Sequence, residues 1–420
     1  MAHPPQWPKL PGAPRFRGSR PFQRDVLSQA NALPGPLCPT RFGIETSSEA
    51  LREVARLFTK LGLMGFGGPA AHIALMREEV VRRRGWMTDE EFLDLVGAAN
   101  LLPGPNSTEL ALHIGRRQAG AAGLVVAGVC FILPSMLLVF ACAWAYVRFG
   151  RVPAVAGAWA GAKPVVVAVV AVALVAFART AVRSAAVALA GAAALALAVL
   201  GAHELVVLMV AGLLVLVLRW PSRRAGAGAA ALLPWVAAAG VPAAGSAAAG
   251  PGLGWLFLFF LKIGAVLYGS GYVLLSFLRS GLVERGGYLT EAQLLDAIAA
   301  GQLTPGPVFT TATFVGYLLH GVPGGIVATV GIFLPAFIFV GVSGALVPWL
   351  RRSPPARAFL DGVNAGSVAL MAVVTWQLGR STLTSPTMWL LALGSLVLLG
   401  VGVNSAWLVA AGAVAGMLLH

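Results

Sequence analysis

Two short stretches place proline, glycine and hydroxyl residues in an order suited to binding an anion. They are Leu102-Pro103-Gly104-Pro105-Asn106-Ser107-Thr108-Glu109 and Thr304-Pro305-Gly306-Pro307-Val308-Phe309-Thr310-Thr311. Each Pro-Gly-Pro interrupts an apolar run, and a new helix is expected to start just beyond it. A helix that starts inside a membrane presents amides without acceptors and about half a unit of positive dipole charge, which together favour a negative ligand. Asn106, Ser107 and Thr108 in the first stretch, and Thr304 and Thr310 in the second, would add side-chain donors. An ordinary proline turn capped by Asn106 or Ser107 is the plainer explanation, and the recurrence of the device counts against it.

Upstream, the segment Leu63-Met64-Gly65-Phe66-Gly67-Gly68-Pro69 sets three glycines and a proline inside another apolar run. Proline lacks the amide hydrogen and glycine costs roughly 1 kcal/mol in a helix, so a break is expected at Pro69. Backbone opened in hydrocarbon must be satisfied by protein or line a water-filled cavity, which makes the Gly67-Gly68 backbone and the nearby His72 candidates for touching a ligand. Close helix packing at small residues is the rival explanation. Only Lys9, Lys60, Lys163 and Lys262 are lysines among 30 basic residues, and Lys60 and Lys262 each stand just before such a break. An ammonium there can neutralise a dianion or snorkel to the interface. Lys163, beside Pro164, is a third candidate. Glu109 and His113 lie four residues apart on one helical face, as carriers of a coupling proton or as groups that satisfy each other. Glu78, Glu204 and Asp361 are further ionisable residues near apolar runs. Cys38, Cys130 and Cys142 show neither metal-ligand spacing nor a disulfide framework, so no metal and no cofactor is expected.

The elements that must hold these residues are membrane helices. Across 420 residues, 58% are hydrophobic and 11% charged, with a mean hydropathy of +0.82, whereas soluble domains carry about 25% charged residues. The net charge of +14 is spread over the N-terminal tail and short clusters between apolar segments. That distribution is a topology signal, and without a recognisable binding module nucleic acid is not an expected partner. Residues 1–50, rich in proline and arginine, read as a disordered basic cytoplasmic tail.

Sliding the chain on itself reveals a duplication. At the offset that sets Lys60 on Lys262, Gly62 falls on Gly264, Gly67 on Gly269, Arg77 on Arg279, Thr88 on Thr290, Asp94 on Asp296 and the first Pro-Gly-Pro on the second. After a one-residue deletion Pro134 falls on Pro335. The expected units are residues 51–222 and 253–420, joined by an Ala/Gly/Pro-rich linker or weak span over 223–252. Long apolar stretches follow each broken region: in the first half Gly120 to Val147, Pro153 to Ala178, Ser184 to Leu200 and Leu205 to Leu218. At roughly 20 residues per crossing, about ten to twelve spans are expected. Asp89, Glu90, Glu91 and Asp94, with Thr88 as N-cap, fit an interfacial helix.

Equivalent loops carry opposite charge bias. Arg77, Arg82, Arg83 and Arg84 correspond to Arg279 and Arg285, and Arg116-Arg117 to Tyr317-Leu318. In the next loop Arg148 and Arg151 face Arg351, Arg352 and Arg357. Halves inserted upside down relative to each other produce this alternation, so the fold class expected is an all-α polytopic membrane protein of duplicated, inverted repeats with broken or re-entrant helices.

These residues resemble the chromate ion transporter family. The stretches that carry the resemblance are Phe58-Thr59-Lys60-Leu61-Gly62, Gly65 to Ile73, Arg84-Gly85-Trp86-Met87 and Leu102 to Ser107. In the second half they are Phe260-Leu261-Lys262-Ile263-Gly264, Gly269-Ser270-Gly271-Tyr272 and Thr304 to Pro307. The resemblance implies a duplicated carrier in the bacterial inner membrane that exports chromate with the proton motive force and confers chromate resistance, with sulfate as a competitor. The partners it implies are chromate, membrane lipid and, as one open assembly, a second copy in a homodimer. The second half departs from the first, with Val308-Phe309 in place of Asn106-Ser107, so the first half is expected to supply more of the polar recognition. A carrier for sulfate or another small anion is the nearest alternative. A membrane-embedded enzyme is the alternative of another class, but the sequence offers no paired cysteines, haem-type histidines, dinucleotide fingerprint or nucleophile paired with a base.

Overall fold

The computed structural model describes residues 48–150, 152–219, 251–269 and 271–419. The expected tail, apart from 48–50, and the expected linker, apart from 251 and 252, lie outside them. Among the described residues the protein is helical, with no strand. The first half runs α1 (Ser48–Met64), α2 (Gly68–Arg77) continued by a π-helical turn (Glu78–Arg83), α3 (Asp89–Ala99), α4 (Asn106–Phe149), α5 (Pro153–Ala181), α6 (Ala185–Val199) and α7 (Glu204–Arg219). The second runs α8 (Leu253–Val266), a 3-10 turn (Gly271–Val273), α9 (Leu274–Leu278) with its own π-helical turn (Arg279–Glu284), α10 (Glu291–Leu303), a 3-10 turn (Val308–Thr310), α11 (Thr311–Arg352), α12 (Pro354–Thr382), α13 (Pro386–Gly400) and α14 (Ser405–Leu419).

The two series recur in local chemistry as well as in order. Thr88 and Thr290 each cap their helix with a reciprocal box, the hydroxyl accepting from the amide of Glu91 or Gln293 and that side chain accepting from the threonine amide. Outside the spans, the Glu91 carboxyl takes the Thr88 amide and pairs with Arg117, which holds it below the usual carboxylate range. Both long helices bend at one place. Ala119 and Gly120 adopt φ/ψ of −143/32 and 62/−150, and His320 and Gly321 adopt −141/23 and 60/−147. A positive φ with such a ψ is open to glycine, which explains why that residue type stands at both bends.

Four stretches are long and apolar enough to cross a membrane: Asn106–Phe149, Pro153–Ala181, Val308–Gly344 and Pro354–Thr382. Shorter apolar helices accompany them: Ala185–Val199, Leu253–Val266, Pro386–Gly400 and Ser405–Leu418. In α1, Val54, Leu57, Phe58 and Leu61 recur at helical spacing and are buried, and the helix packs along α4 as α8 packs along α11.

The halves are interlocked, because each long helix receives the terminal hairpin of the opposite half. Helix α5 packs against α13 and α14, and α12 packs against α6 and α7. Close approach at α5 and α14 depends on Gly157, Gly161, Gly412 and Gly416, two small-xxx-small pairs face to face. A Cβ on Gly161 would lie 2.1 Å from the Gly412 carbonyl oxygen, and one on Gly362 would lie 2.3 Å from the carbonyl oxygen of Ala211 in α7. Backbone cannot yield there as a flexible side chain can. Gly161→Ala and Gly362→Ala are therefore each expected to lower the thermal midpoint of the purified protein in detergent, at a cost of about 1–3 kcal/mol as for other overpacked sites. Gly254→Ala, where a Cβ meets nothing within 4 Å, should leave the midpoint unchanged.

Candidate functional site

The two Pro-Gly-Pro turns meet at the centre, and each is fastened to the opposite half. The amide of Gly104 donates to the carbonyl of Leu267 at 2.8 Å, and the amide of Gly306 donates to the carbonyl of Gly65 at 2.8 Å. Gly65 and Leu267 are themselves equivalent, each at the end of the first helix of its half, where the break leaves carbonyls without intrahelical donors. One break thus satisfies the other across the repeat. Gly104 and Gly306 have φ of +138° and +98°, a region that favours glycine. A Cβ on Gly306 would also press on Ser135, at 2.7 Å from its Cβ.

Between the turns lies a cavity of about 30 Å³. Its lining comes in equivalent pairs: Pro69 with Gly271, Pro105 with Pro307, Asn106 with Val308 and Ser107 with Phe309, together with Gly269. Helix α4 begins at Asn106, and Thr108 and Glu109 already donate to the carbonyl of Pro105 at 2.7 and 3.0 Å. The amides of Asn106 and Ser107 are first-turn donors with no acceptor inside the helix. In the second half Thr310 donates to Pro307 at 3.0 Å, leaving Val308 and Phe309 in the corresponding place. Two helix starts therefore share one chamber, one walled by an amide and a hydroxyl side chain and the other by apolar ones. Asn106 is held by its neighbour, its Nδ2 donating to Oδ1 of Asn100 at 2.8 Å.

The other residues singled out in the sequence fall around this cavity rather than on it. Thr304 and Thr310 turn their hydroxyls to the carbonyls of Ala300 and Pro307 at 3.1 and 2.8 Å. The Thr108 hydroxyl is fully buried with no hydrogen-bond partner. His72 donates through Nε2 to the Gly65 carbonyl at 2.8 Å, so it braces the cross-half junction in the first half. Its counterpart in the second is Leu274. Gly67 caps α2 with a φ of +105°, and the Tyr272 hydroxyl lies over Gly68. Lys60 is not on the cavity. Its ammonium pairs with Glu79 at 2.7 Å, Glu79 also pairs with Arg84, and the lysine flanks an open groove with Arg56 and Thr59. Lys262 is also off the lining, in the field of Glu204 and Arg285, which pair with each other at 2.5 Å. Both lysines were expected at the site because a break follows them, but the helix ahead of each break carries its lysine on another face. Glu109 is fully buried beneath Gly104, both carboxylate oxygens without a hydrogen-bond partner, and Nε2 of His113 is likewise unpartnered.

Three groups were not legible in advance. Asp296 is 3% exposed and lies 3.2 Å from the Lys163 ammonium, and it accepts from the Tyr146 hydroxyl at 3.0 Å. Asp296 belongs to the second half and the other two to the first, so only the tertiary fold unites them. Gln302, which accepts from Tyr272 at 3.3 Å with Nε2 unpartnered, and Asn100 occupy equivalent positions ahead of the two turns. Their recurrence as amides is visible in the repeat. Among the described residues no cluster of histidine, cysteine, aspartate or glutamate is arranged to hold a metal ion.

The chromate transporter family is matched twice along the chain, over residues 52–217 and 254–417. A chromate transport protein of Cupriavidus metallidurans is 33% identical over 360 residues, covering 83% of this chain and 88% of that protein. A probable chromate transport protein of Synechococcus elongatus is 30% identical over 359 residues, 83% of this chain and 89% of that one. A chromate transport protein of Pseudomonas aeruginosa is 33% identical over 339 residues, 77% and 80% of the two chains. No solved structure matches the chain. A helical chain whose two broken helices converge on one chamber, matched by the same family over two successive stretches, belongs to the chromate transporter family.

Proposed function

We propose that this protein is a secondary active transporter that carries chromate across the bacterial inner membrane, exporting it with energy from the proton gradient and so conferring resistance. The observation that carries the reading is the cavity shared by Asn106, Ser107, Val308 and Phe309, into which two helix starts open. Amides and helix dipoles aimed at one point suit a tetrahedral dianion, and they accept sulfate by the same chemistry. At about 30 Å³ the chamber has room for roughly two waters, and in this reading it widens to take substrate. The halves are read as inverted repeats making about ten to twelve spans, the short apolar helices completing the count.

In this reading the anion is held by the amides of Asn106 and Ser107 and of Val308 and Phe309, since those of Thr108 and Thr310 already serve Pro105 and Pro307, with the Asn106 and Ser107 side chains supplying direction. Lys60 and Lys262, set back from the chamber, contribute positive potential along the approach. Glu109 and His113 carry the coupling proton: a carboxyl buried without a partner beside the substrate chamber is a proton carrier by chemistry.

Inverted membrane vesicles should accumulate labelled chromate under an imposed proton gradient, with sulfate competing, and collapse of the gradient should abolish accumulation. Uptake indifferent to the gradient would remove the proton from the mechanism, and absence of chromate uptake would remove the substrate. Asn106→Leu is expected to reduce uptake about tenfold to a hundredfold, the worth of one hydrogen bond to a charged group, with insertion unchanged by membrane fractionation. Thr304→Val, whose hydroxyl already serves Ala300, should cost little. Glu109→Gln should leave chromate exchange intact while removing its response to the gradient.

A further inference from the structure

The two halves match element for element, yet their surroundings differ. Helix α10 of the second half packs across α5 and α14 and touches α4. Its counterpart α3 has its principal contacts with α2 and α4 of its own half. Exposure follows the same division. Tyr268 and Phe277 are 6% and 4% exposed, whereas their counterparts Phe66 and Leu75 are 39% and 36% exposed. Asp296 is buried, and its counterpart Asp94 is half-buried. The first-half hairpin closes its own small core, from Val54 to Phe131, while the second-half hairpin is part of the main one.

The helices that receive these hairpins show no such difference. The packing of α5 on α13 and α14 is repeated by that of α12 on α6 and α7. A docking face equivalent to the one α10 occupies therefore exists along α12 and α7, and α3 does not fill it. What holds α10 in place is also one-sided. Asp296 is clamped by Lys163 from α5 and Tyr146 from α4. The positions corresponding to Lys163 and Tyr146 are Asn364 on α12 and Val347 on α11, and Asn364 now lies against Gly269.

We infer that the two hairpins dock in turn, and that the cluster of Asp296, Lys163 and Tyr146 is the latch of the state seen here. In the opposite state the α2–α3 hairpin docks along α12 and α7 with Asp94 against Asn364, while Asp296 withdraws from Lys163. An ion pair on one side and an amide on the other bias the resting protein toward the latched state, since separating a buried pair leaves each charge without its partner. The exchange moves Pro69 and Gly271, which line the chamber, in opposite senses, so it opens the chamber to alternate sides. The inference rests on the inverted-repeat carrier reading and identifies its moving parts.

The test uses full-length protein in native membranes, with Cys38, Cys130 and Cys142 replaced by serine, and a short reducible thiol cross-linker. Val167→Cys with Gly379→Cys, which lie side by side in α5 and α12 outside the latch, should cross-link promptly, which reports that the chain is folded. Asp94→Cys with Asn364→Cys, a pair from helices that are not packed together here, should cross-link as well. Its yield should rise severalfold when Lys163→Asn is added to release the latch. No cross-link between positions 94 and 364 in a chain whose first pair reacts would overturn docking in turn, and a yield indifferent to Lys163→Asn would overturn the latch. Both readouts come from the chain itself without substrate, so they can fail while chromate uptake persists, and hold while it is absent.

Discussion

Everything central in this protein follows from the cost of an unsatisfied peptide group in hydrocarbon. Breaking a helix there frees carbonyls on one side and amides on the other, and neither finds water. The chain meets this by placing two breaks face to face and exchanging bonds between them, Gly104 with Leu267 and Gly306 with Gly65. Beyond that exchange, the first amides of the next helices have no acceptor within their own helix, and Asn106, Ser107, Val308 and Phe309 at those starts wall the chamber. The proposed anion site and the junction that holds the halves together are the same piece of backbone chemistry.

Interlocking of the terminal hairpins gives this centre a frame. Because α5 is gripped by α13 and α14 and α12 by α6 and α7, the halves cannot rock apart as two free bodies. In the docking exchange inferred above, motion falls to the segments that are not gripped, namely the broken hairpins and the helices that follow them. The bends at Gly120 and Gly321 mark where each long helix passes from the hairpin region to the remainder of its span.

Much of this was legible in the residues, and the reasons differ from part to part. The breaks could be read because glycine and proline act through their own backbone, without reference to neighbours. The helix start at Asn106 and Ser107 could be read because it follows a turn whose geometry is local. The lysines could not, since the direction of a side chain on a helix depends on what packs beside it, and Lys60 turned out to serve Glu79. Asp296 shows the same limit from the other side. Its repeat partner Asp94 sits in an evident charged helix face, and only the approach of α5 converts the second copy into a buried ion pair. Thr304 and Thr310 carry the chemistry a site would use, yet their hydroxyls return to the preceding turn of backbone, a choice open to any threonine near a helix end.

The glycine contact between α5 and α14 has a consequence for biogenesis. The surface of α5 that carries Gly157 and Gly161 is completed by Gly412 and Gly416, which leave the ribosome long after it. Until then that groove must be filled by lipid or by another chain, so α5 stays unfinished until α14 has been made. A nascent chain cut short before α14 would present to quality-control machinery a smooth, small-residue stripe that the finished protein hides.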